Sequence, residues 1–116
     1  MSHKKIAKVA EVARRAFETN SIPRKLLTKL YSHYNPNVEI NSFLDTAAKL
    51  FPAMNCGLAS VYLQYKLGQG EVVYGSYDGH NHAFLSLGDT IIDITADQFG
   101  GPKVYVGPAE KPWSLS

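Results

Sequence analysis

The feature that most constrains the fold of this chain is a change in sequence pattern near Gly68. Before this glycine, apolar residues recur at steps of three and four, which places them on one face of a helix. After it, short runs rich in valine, isoleucine and tyrosine are separated by glycine and aspartate, a pattern typical of strands and turns. Because the helical pattern comes first, the sequence predicts an α+β fold in which N-terminal helices are followed by a small antiparallel sheet.

Four helices are predicted in the first part of the chain. They cover residues 4–18, a segment that follows Ser21 and ends before Asn35, a segment from Asn41 or Ser42 to Phe51, and a segment from Asn55 to Gly68. Proline residues at positions 23, 36 and 52 mark their boundaries. Asn55 is a good N-cap residue, and a cap there places Cys56 in the first turn of the fourth helix.

Four strands are predicted in the second part, over residues 71–77, 82–87, 90–95 and 104–106. The two-residue loop Gly88-Asp89 favours a tight hairpin between the second and third strands.

This hairpin fixes which residues lie opposite one another. The loop pairs Leu87 with Thr90, and counting back sets Phe84 opposite Asp93 and His82 opposite Thr95. On this register His82, Phe84, Ser86, Ile91, Asp93 and Thr95 share one face of the sheet. His82 and Asp93 become diagonal neighbours with backbones about 7 Å apart, a separation that an imidazole and a carboxylate can bridge.

The chain length and charge bound the organisation and the partners. With 116 residues, 45% of them hydrophobic, we expect a single domain over 1–116, with a helical part over 1–68 and a sheet part over 70–107. The net charge of +2 is uneven, because residues 1–30 hold eight Lys and Arg against two Glu. A basic first helix could contact nucleic acid, an acidic partner or an anionic membrane surface. The lack of interleaved aromatic residues there argues against nucleic acid and favours a solvated helix face.

Cysteine usage and hydropathy indicate the compartment. Cys56 is the only cysteine, which excludes an internal disulfide framework and a zinc site of several thiolates. No apolar stretch reaches the length of a membrane span, and the N-terminus lacks the apolar core of a secretory signal. We therefore expect a cytoplasmic protein, or an effector delivered by a route without a cleaved signal peptide. A short chain that begins with Met favours a stand-alone bacterial or phage protein, and its oligomeric state stays open.

Cys56, His82 and Asp93 are the candidate catalytic residues. A thiol in the first turn of a helix is exposed to the positive end of the helix dipole and to free backbone N–H groups, which favour the thiolate. The same N–H groups can stabilise an oxyanion after the thiolate attacks a carbonyl. If this turn packs against the open face of the hairpin, Cys56 becomes the nucleophile, His82 the general base and then acid, and Asp93 the carboxylate that orients the imidazole.

Four short motifs support this hypothesis through a family resemblance. They are Asn55-Cys56-Gly57-Leu58-Ala59-Ser60, Val72-Val73-Tyr74-Gly75, His82-Ala83-Phe84 and Ile92-Asp93-Ile94-Thr95. Over about residues 50–107 the arrangement resembles the catalytic core of the papain-like and transglutaminase-like thiol hydrolases. In that superfamily a cysteine opens a helix packed on an antiparallel sheet, and histidine and aspartate follow on adjacent strands. The resemblance implies the same roles for Cys56, His82 and Asp93.

The sequence departs from the superfamily pattern at three points. The common His-Ala-Trp and Asp-Pro-Thr become His-Ala-Phe and Asp-Ile-Thr, which keeps both catalytic groups. Papain uses an upstream glutamine side chain in its oxyanion hole, whereas this chain has no glutamine before Gln64. The oxyanion then relies on backbone N–H groups, with the Asn55 side chain as a hypothetical second donor. Gln98, just past the hairpin, either lines a substrate cleft or serves as a turn residue.

Two alternative sites would use His80. It has the same strand parity as His82 and would face Asp97 if the hairpin extended, although Asp78-Gly79 places it in a turn. The run His80-Asn81-His82 also suggests two other interpretations, a metal site or the nuclease motif named for His and Asn. Two close histidines without a second ligand cluster argue against metal, and that nuclease has its histidines dispersed over a longer motif. We expect neither a metal ion nor a cofactor.

The sequence thus predicts a thiol hydrolase or acyl-transfer enzyme that acts on a peptide or side-chain amide, as a peptidase, a glutamine deamidase or a transglutaminase-like enzyme. Its partner would be a protein or peptide substrate. The alternative is a catalytically inactive papain-like module that binds a protein partner. Thiol reactivity separates the two, because an active-site thiolate alkylates at neutral pH whereas a core thiol is protected until unfolding.

Overall fold

The computed structural model describes residues 1–116 and contains four helices followed by a five-stranded antiparallel sheet. The helices are α1 (His3–Glu18), α2 (Arg24–Tyr34), α3 (Ile40–Leu50) and α4 (Cys56–Leu67). The strands are β1 (Glu71–Tyr77), β2 (His80–Leu87), β3 (Thr90–Asp93), β4 (Tyr105–Pro108) and β5 (Trp113–Ser114), and a 3₁₀ turn covers Ala96–Phe99. The spatial order of the strands is β4-β3-β2-β1-β5. The predicted α+β fold is confirmed.

Local chemistry sets the ends of the helices. The Ser2 side chain accepts a hydrogen bond from the Lys5 N–H at 3.2 Å at the start of α1. The Glu39 carboxylate accepts one from the Ser42 N–H at 2.7 Å, so α3 begins at Ile40, slightly earlier than predicted. Gly68 ends α4 with a φ of 70°, a left-handed conformation that glycine adopts without strain. None of the four helices is both long and apolar enough to cross a lipid bilayer.

Helix α4 lies at the centre of the fold. Six consecutive residues, from Leu58 to Leu63, are buried, as expected for a helix that is apolar around its whole circumference. It packs against α1, α2 and β2. This position brings its first turn, and Cys56 with it, close to the sheet.

The two faces of the sheet carry different buried clusters. Leu85 and Ile92 pack with α1 and α4, whereas Phe84 and Ile91 pack with Trp113 on the other face. The ladder between β2 and β3 pairs Leu87 with Thr90, Ser86 with Ile91 and Leu85 with Ile92. The predicted hairpin register and alternation are therefore confirmed over these pairs.

The predicted ends of the hairpin strands are wrong. β2 begins at His80, not at residue 82, and β3 ends at Asp93, not at residue 95. The ladder between β2 and β3 ends at Leu85 and Ile92, so it includes neither the predicted pair of Phe84 and Asp93 nor that of His82 and Thr95. The chain leaves the ladder because the Thr95 N–H donates to the Asp93 carboxylate, at 2.9 Å, rather than to a neighbouring strand.

The sheet extends beyond its predicted limit at residue 107. β4 ends at Pro108, and β5 pairs antiparallel with the end of β1, with Tyr77 opposite Trp113. A strand of two residues in a proline-containing segment is too short for alternation to be visible in the sequence. Gly75 makes this pairing possible, because a Cβ there would overlap the Ser114 carbonyl oxygen and lie 2.9 Å from the Phe84 ring.

Candidate active site

The three predicted catalytic residues are brought together by three different elements. Cys56 is the first residue of α4, His82 lies in β2, and Asp93 is the last residue of β3. The His82 and Asp93 side chains are almost fully buried, and Cys56 is half-buried. The site therefore has a buried polar pair beside a half-buried cysteine.

The Asp93 carboxylate is held by hydrogen bonds on both oxygens. Its Oδ2 lies 2.6 Å from Nε2 of His82 and accepts the indole N–H of Trp113 at 2.9 Å. Its Oδ1 accepts the backbone N–H of Thr95 at 2.9 Å. A buried carboxylate with this many donors keeps one orientation, and so it fixes the orientation of the imidazole.

The surroundings of Cys56 favour its thiolate. Burial raises the pKa of the Cys56 thiol, but His82 and the backbone N–H groups of Ala83 and Gly57 lower it by more, so the net change is downward from the ordinary value of 9.0. A thiol with a lowered pKa is a thiolate for a larger part of the time at neutral pH, and the thiolate is the nucleophilic form.

The His82 imidazole faces a different partner on each side. Burial lowers the pKa of His82, but the hydrogen bond to Asp93 and the interaction with Cys56 raise it to about 9. Nε2 is engaged by Asp93, whereas Nδ1 is buried and has no hydrogen bond of regular geometry. Nδ1 is therefore the ring nitrogen left to exchange a proton with the thiol or with a substrate.

Aromatic rings shield the imidazole from water. The Phe99 ring stands edge-on to His82 with centroids 5.3 Å apart, and Tyr77 stands edge-on at 6.4 Å. Phe84 lies at 6.2 Å on the same face of the sheet. An apolar lining strengthens the electrostatic coupling among the charged groups that it encloses.

The rival pair of His80 and Asp97 does not form. His80 is in β2 rather than in a turn, is exposed, and stacks on Phe99 with centroids 4.7 Å apart. Asp97 accepts two hydrogen bonds from Arg14, at 2.7 and 2.8 Å. No group of three or more His, Cys, Asp or Glu side chains is arranged to hold a metal ion.

Arg14 is a buried residue near the site that the sequence analysis did not identify. Besides Asp97 its guanidinium binds the Ile94 carbonyl at 2.8 Å and lies 4.6 Å from the centroid of the Phe51 ring. It thereby ties α1 to the segment that follows Asp93. The available signal was its spacing, because Arg14 follows the buried Ala10 by one helical repeat of four and so lies on the inner face.

Asn55 occupies the N-cap position of α4, as predicted, but its predicted role as an oxyanion donor is wrong. Its side chain makes no cap hydrogen bond; its amide donates to the carbonyls of Ala47 at 2.9 Å and Ala53 at 2.8 Å. Both amide hydrogens are thus used to hold the turn that leads into Cys56. Gln98 donates to the Thr95 carbonyl at 3.1 Å, which gives this side chain a role within the turn.

The first turn of α4 presents free backbone donors. The first N–H that bonds within the helix is that of Ala59, to the Asn55 carbonyl at 2.8 Å. Those of Cys56, Gly57 and Leu58 have no backbone acceptor. They point toward the region in which a negative charge would develop beside the thiol.

Two tyrosines of α2 cover this turn. A Cβ on Gly57 would lie 3.5 Å from the Tyr34 ring and 3.6 Å from the Tyr31 ring. The Tyr34 hydroxyl donates to the hydroxyl of Tyr74, which bridges α2 and β1 beside the site. The sequence places Tyr31 and Tyr34 on an apolar stripe of α2, and that pattern gives no sign that they approach the thiol.

The two cavities among the helices do not contain the three residues. One of about 550 Å³ lies among α1, α2 and α3, and one of about 820 Å³ follows the groove between α2 and α4. Neither is lined by Cys56, His82 or Asp93.

Neither a protein-family model, nor a curated protein, nor a solved structure matches this chain.

Proposed function

We propose that this protein is a thiol hydrolase or acyl-transfer enzyme of the papain-like and transglutaminase-like type. In this proposal Cys56 is the nucleophile, His82 is the general base and acid, and Asp93 orients the imidazole. The observation that carries the proposal is the two-sided environment of His82: Nε2 is 2.6 Å from a buried carboxylate, while the Cys56 thiol and the imidazole each favour the charged form of the other.

The arrangement supports catalysis through a covalent intermediate. The Cys56 thiolate attacks the amide carbonyl carbon, a C–S bond forms, and the electron pair of the C=O bond moves to oxygen. When the tetrahedral intermediate collapses, the C–N bond breaks and His82 gives its proton to the leaving nitrogen. Water or an amine then attacks the thioester, His82 accepts its proton, and the C–S bond breaks.

Asp93 contributes by holding His82 rather than by reacting. Its negative charge stabilises the imidazolium, and its hydrogen bond to Nε2 keeps Nδ1 directed away from the carboxylate. Trp113 and Thr95 hold the carboxylate in turn. This chain of hydrogen bonds explains how a single orientation of the imidazole is maintained in a site that opens to solvent at the thiol.

The proposed substrate is a peptide bond or a side-chain amide of another protein. Cys56 is half-buried, and Tyr74, which is 73% exposed, stands beside the site. An open site of this kind suits an extended segment of a partner chain better than a small molecule, which is usually enclosed. We further propose that the protein acts in the cytoplasm, its own or that of a cell to which it is delivered as an effector.

The direct test is incubation of the purified protein with unfolded casein and a primary amine. Released ammonia, new N-termini and incorporated amine report deamidation, peptide hydrolysis and transfer respectively. We expect at least one product, and we expect its loss in Cys56→Ser and Asp93→Asn. Asp45→Asn is the matched control, since Asp45 is an exposed carboxylate that pairs with Arg24 and not with any of the three residues. A product that persists in Cys56→Ser, or the absence of all three, would contradict the proposal and leave a binding module.

A further inference from the structure

We propose that the hydroxyl of Tyr31, together with the backbone N–H of Cys56, forms the oxyanion hole of this site. The inference rests on the proposed function, because it gives Tyr31 a role only if Cys56 attacks a carbonyl. It assigns a catalytic residue to a helix that lies outside the segment with the family resemblance.

Tyr31 lies over the turn that carries Cys56. It belongs to the last part of α2, and its side chain reaches over the first turn of α4. A Cβ built on Gly57 would lie 3.7 Å from the Tyr31 hydroxyl oxygen. The hydroxyl therefore lies against the residue that directly follows Cys56, on the turn whose N–H groups are free.

The Tyr31 side chain is buried and fixed in place, while its hydroxyl has room for a further partner. Tyr31 is 8% exposed, and its ring is stacked on Phe43 with centroids 4.4 Å apart and planes 4° from parallel. Its hydroxyl has no hydrogen bond of regular geometry, although Asn35 lies close enough to influence it. The neighbouring Tyr34 differs, since its hydroxyl is committed to Tyr74. A hydroxyl on a fixed ring, with no hydrogen bond of regular geometry to another side chain, is suited to a charge that appears only during the reaction.

The protonation state of the Tyr31 hydroxyl also suits a hydrogen-bond donor. Burial raises the pKa of Tyr31, the charge of Cys56 raises it further, and the interaction with Asn35 opposes both. The hydroxyl accordingly keeps its proton and stays a donor at the pH at which the thiolate forms.

The side-chain amides near the thiol are already engaged and so cannot bind the oxyanion. The Asn55 amide is used by two carbonyl groups, and the Gln64 amide donates to the Gly70 carbonyl at 2.8 Å. The Gly57 N–H is directed at the thiol sulfur. Tyr74 is 73% exposed and its hydroxyl is tied to Tyr34, so Tyr31 is the buried side-chain donor that can join the Cys56 N–H in binding the carbonyl oxygen.

The test compares two reactions of the same thiol. Alkylation of Cys56 by iodoacetamide creates no oxyanion, whereas acylation by p-nitrophenyl acetate passes through one. Tyr31→Phe removes only the hydroxyl. The matched control is Tyr62→Phe, because Tyr62 is also 8% exposed but lies well along α4 from Cys56. Circular dichroism establishes that each variant is folded.

We expect Tyr31→Phe to slow acylation by about 100-fold, in line with the loss of one oxyanion donor, and to leave alkylation within about twofold of the wild type. Tyr62→Phe should change neither rate. The inference is overturned if Tyr31→Phe acylates at the wild-type rate, if both rates fall by the same factor, or if Tyr62→Phe has the same effect. Wild-type alkylation that is slow and independent of His82 would instead overturn the proposed function, and the inference with it.

Discussion

The indole N–H of Trp113 donates to Oδ2 of Asp93 at 2.9 Å, on the same oxygen that faces the His82 ring. Trp113 is 6% exposed and is stacked on Tyr105 with ring centroids 3.8 Å apart. It lies in β5, well after the hairpin that holds His82 and Asp93. The orientation of Asp93 therefore depends on the C-terminal strand as well as on the hairpin.

We expect Trp113→Phe to lower the free energy of unfolding by about 1.5–3 kcal/mol, because a buried carboxylate loses a donor while most apolar contact is kept. Urea denaturation measures this change. Tyr105→Phe serves as the control, since it removes an exposed hydroxyl that binds the Pro108 carbonyl at 2.7 Å, and should cost less. If both variants lose the same free energy of unfolding, the hydrogen bond from Trp113 to Asp93 stabilises the fold no more than an exposed hydrogen bond does.

The raised pKa of His82 predicts a definite pH dependence. NMR titration of the imidazole should give a pKa near 9 in the wild type and a lower pKa in Cys56→Ala, because the thiolate that stabilises the imidazolium is absent. Since the folded pKa lies above the ordinary value of 6.5, the stability from this charge is present below pH 6.5 and is lost as the pH rises through 9. A pKa that is the same in both proteins would rule out coupling between the two side chains.

Asn55 should be important for stability although its side chain is neither a cap nor an oxyanion donor. Asn55→Ala leaves the buried Ala47 carbonyl and the half-buried Ala53 carbonyl without their donor, and we expect a loss of about 2–4 kcal/mol in the free energy of unfolding. Thermal or urea unfolding measures it. The exposed Asn37, changed to Ala, is the control and should have little effect. If the two substitutions cost the same, the turn before Cys56 does not depend on the Asn55 amide.

The paired hydrogen bonds from the Arg14 guanidinium to the Asp97 carboxylate should hold the segment after Asp93 in place. Arg14→Met leaves Asp97 without its partner and should cost about 3 kcal/mol, whereas Arg14→Lys should cost less because it keeps a charge but loses the paired hydrogen bonds. Exposed Arg15→Met should change little. A double-mutant cycle with Asp97→Asn measures the coupling, and a coupling near zero would contradict this role.

Much of the fold could be predicted because the governing interactions are local. The steps of three and four in the first 68 residues predicted four helices, and Gly88-Asp89 predicted the register that pairs Leu87 with Thr90. The strand ends were less predictable. Thr95 leaves the ladder to bind a carboxylate, and a side-chain interaction of this kind leaves no trace in the alternation of apolar residues.

The convergence of Cys56, His82 and Asp93 could be inferred because two of them share a hairpin and the third opens a helix. The parts that sequence reasoning missed come from distant segments. Trp113 reaches Asp93 from the end of the chain, and Tyr31 reaches Gly57 from α2. Asn55 was assigned the wrong hydrogen-bond partners because asparagine side chains commonly bind either the N–H groups of a helix start or the carbonyls of a preceding loop. Only the position of the Ala47 carbonyl decides between these two uses.

The most direct test of the central claim is the rate of Cys56 alkylation by iodoacetamide as a function of pH, in the wild type, His82→Ala and Asp93→Asn, with folding verified by circular dichroism. A thiol activated by His82 and Asp93 gives a wild-type midpoint below the ordinary pKa of 9.0, and a higher midpoint in both variants, because each one weakens the imidazolium that favours the thiolate. The claim would be contradicted by slow alkylation that speeds up only on unfolding and has the same rate in the wild type and both variants.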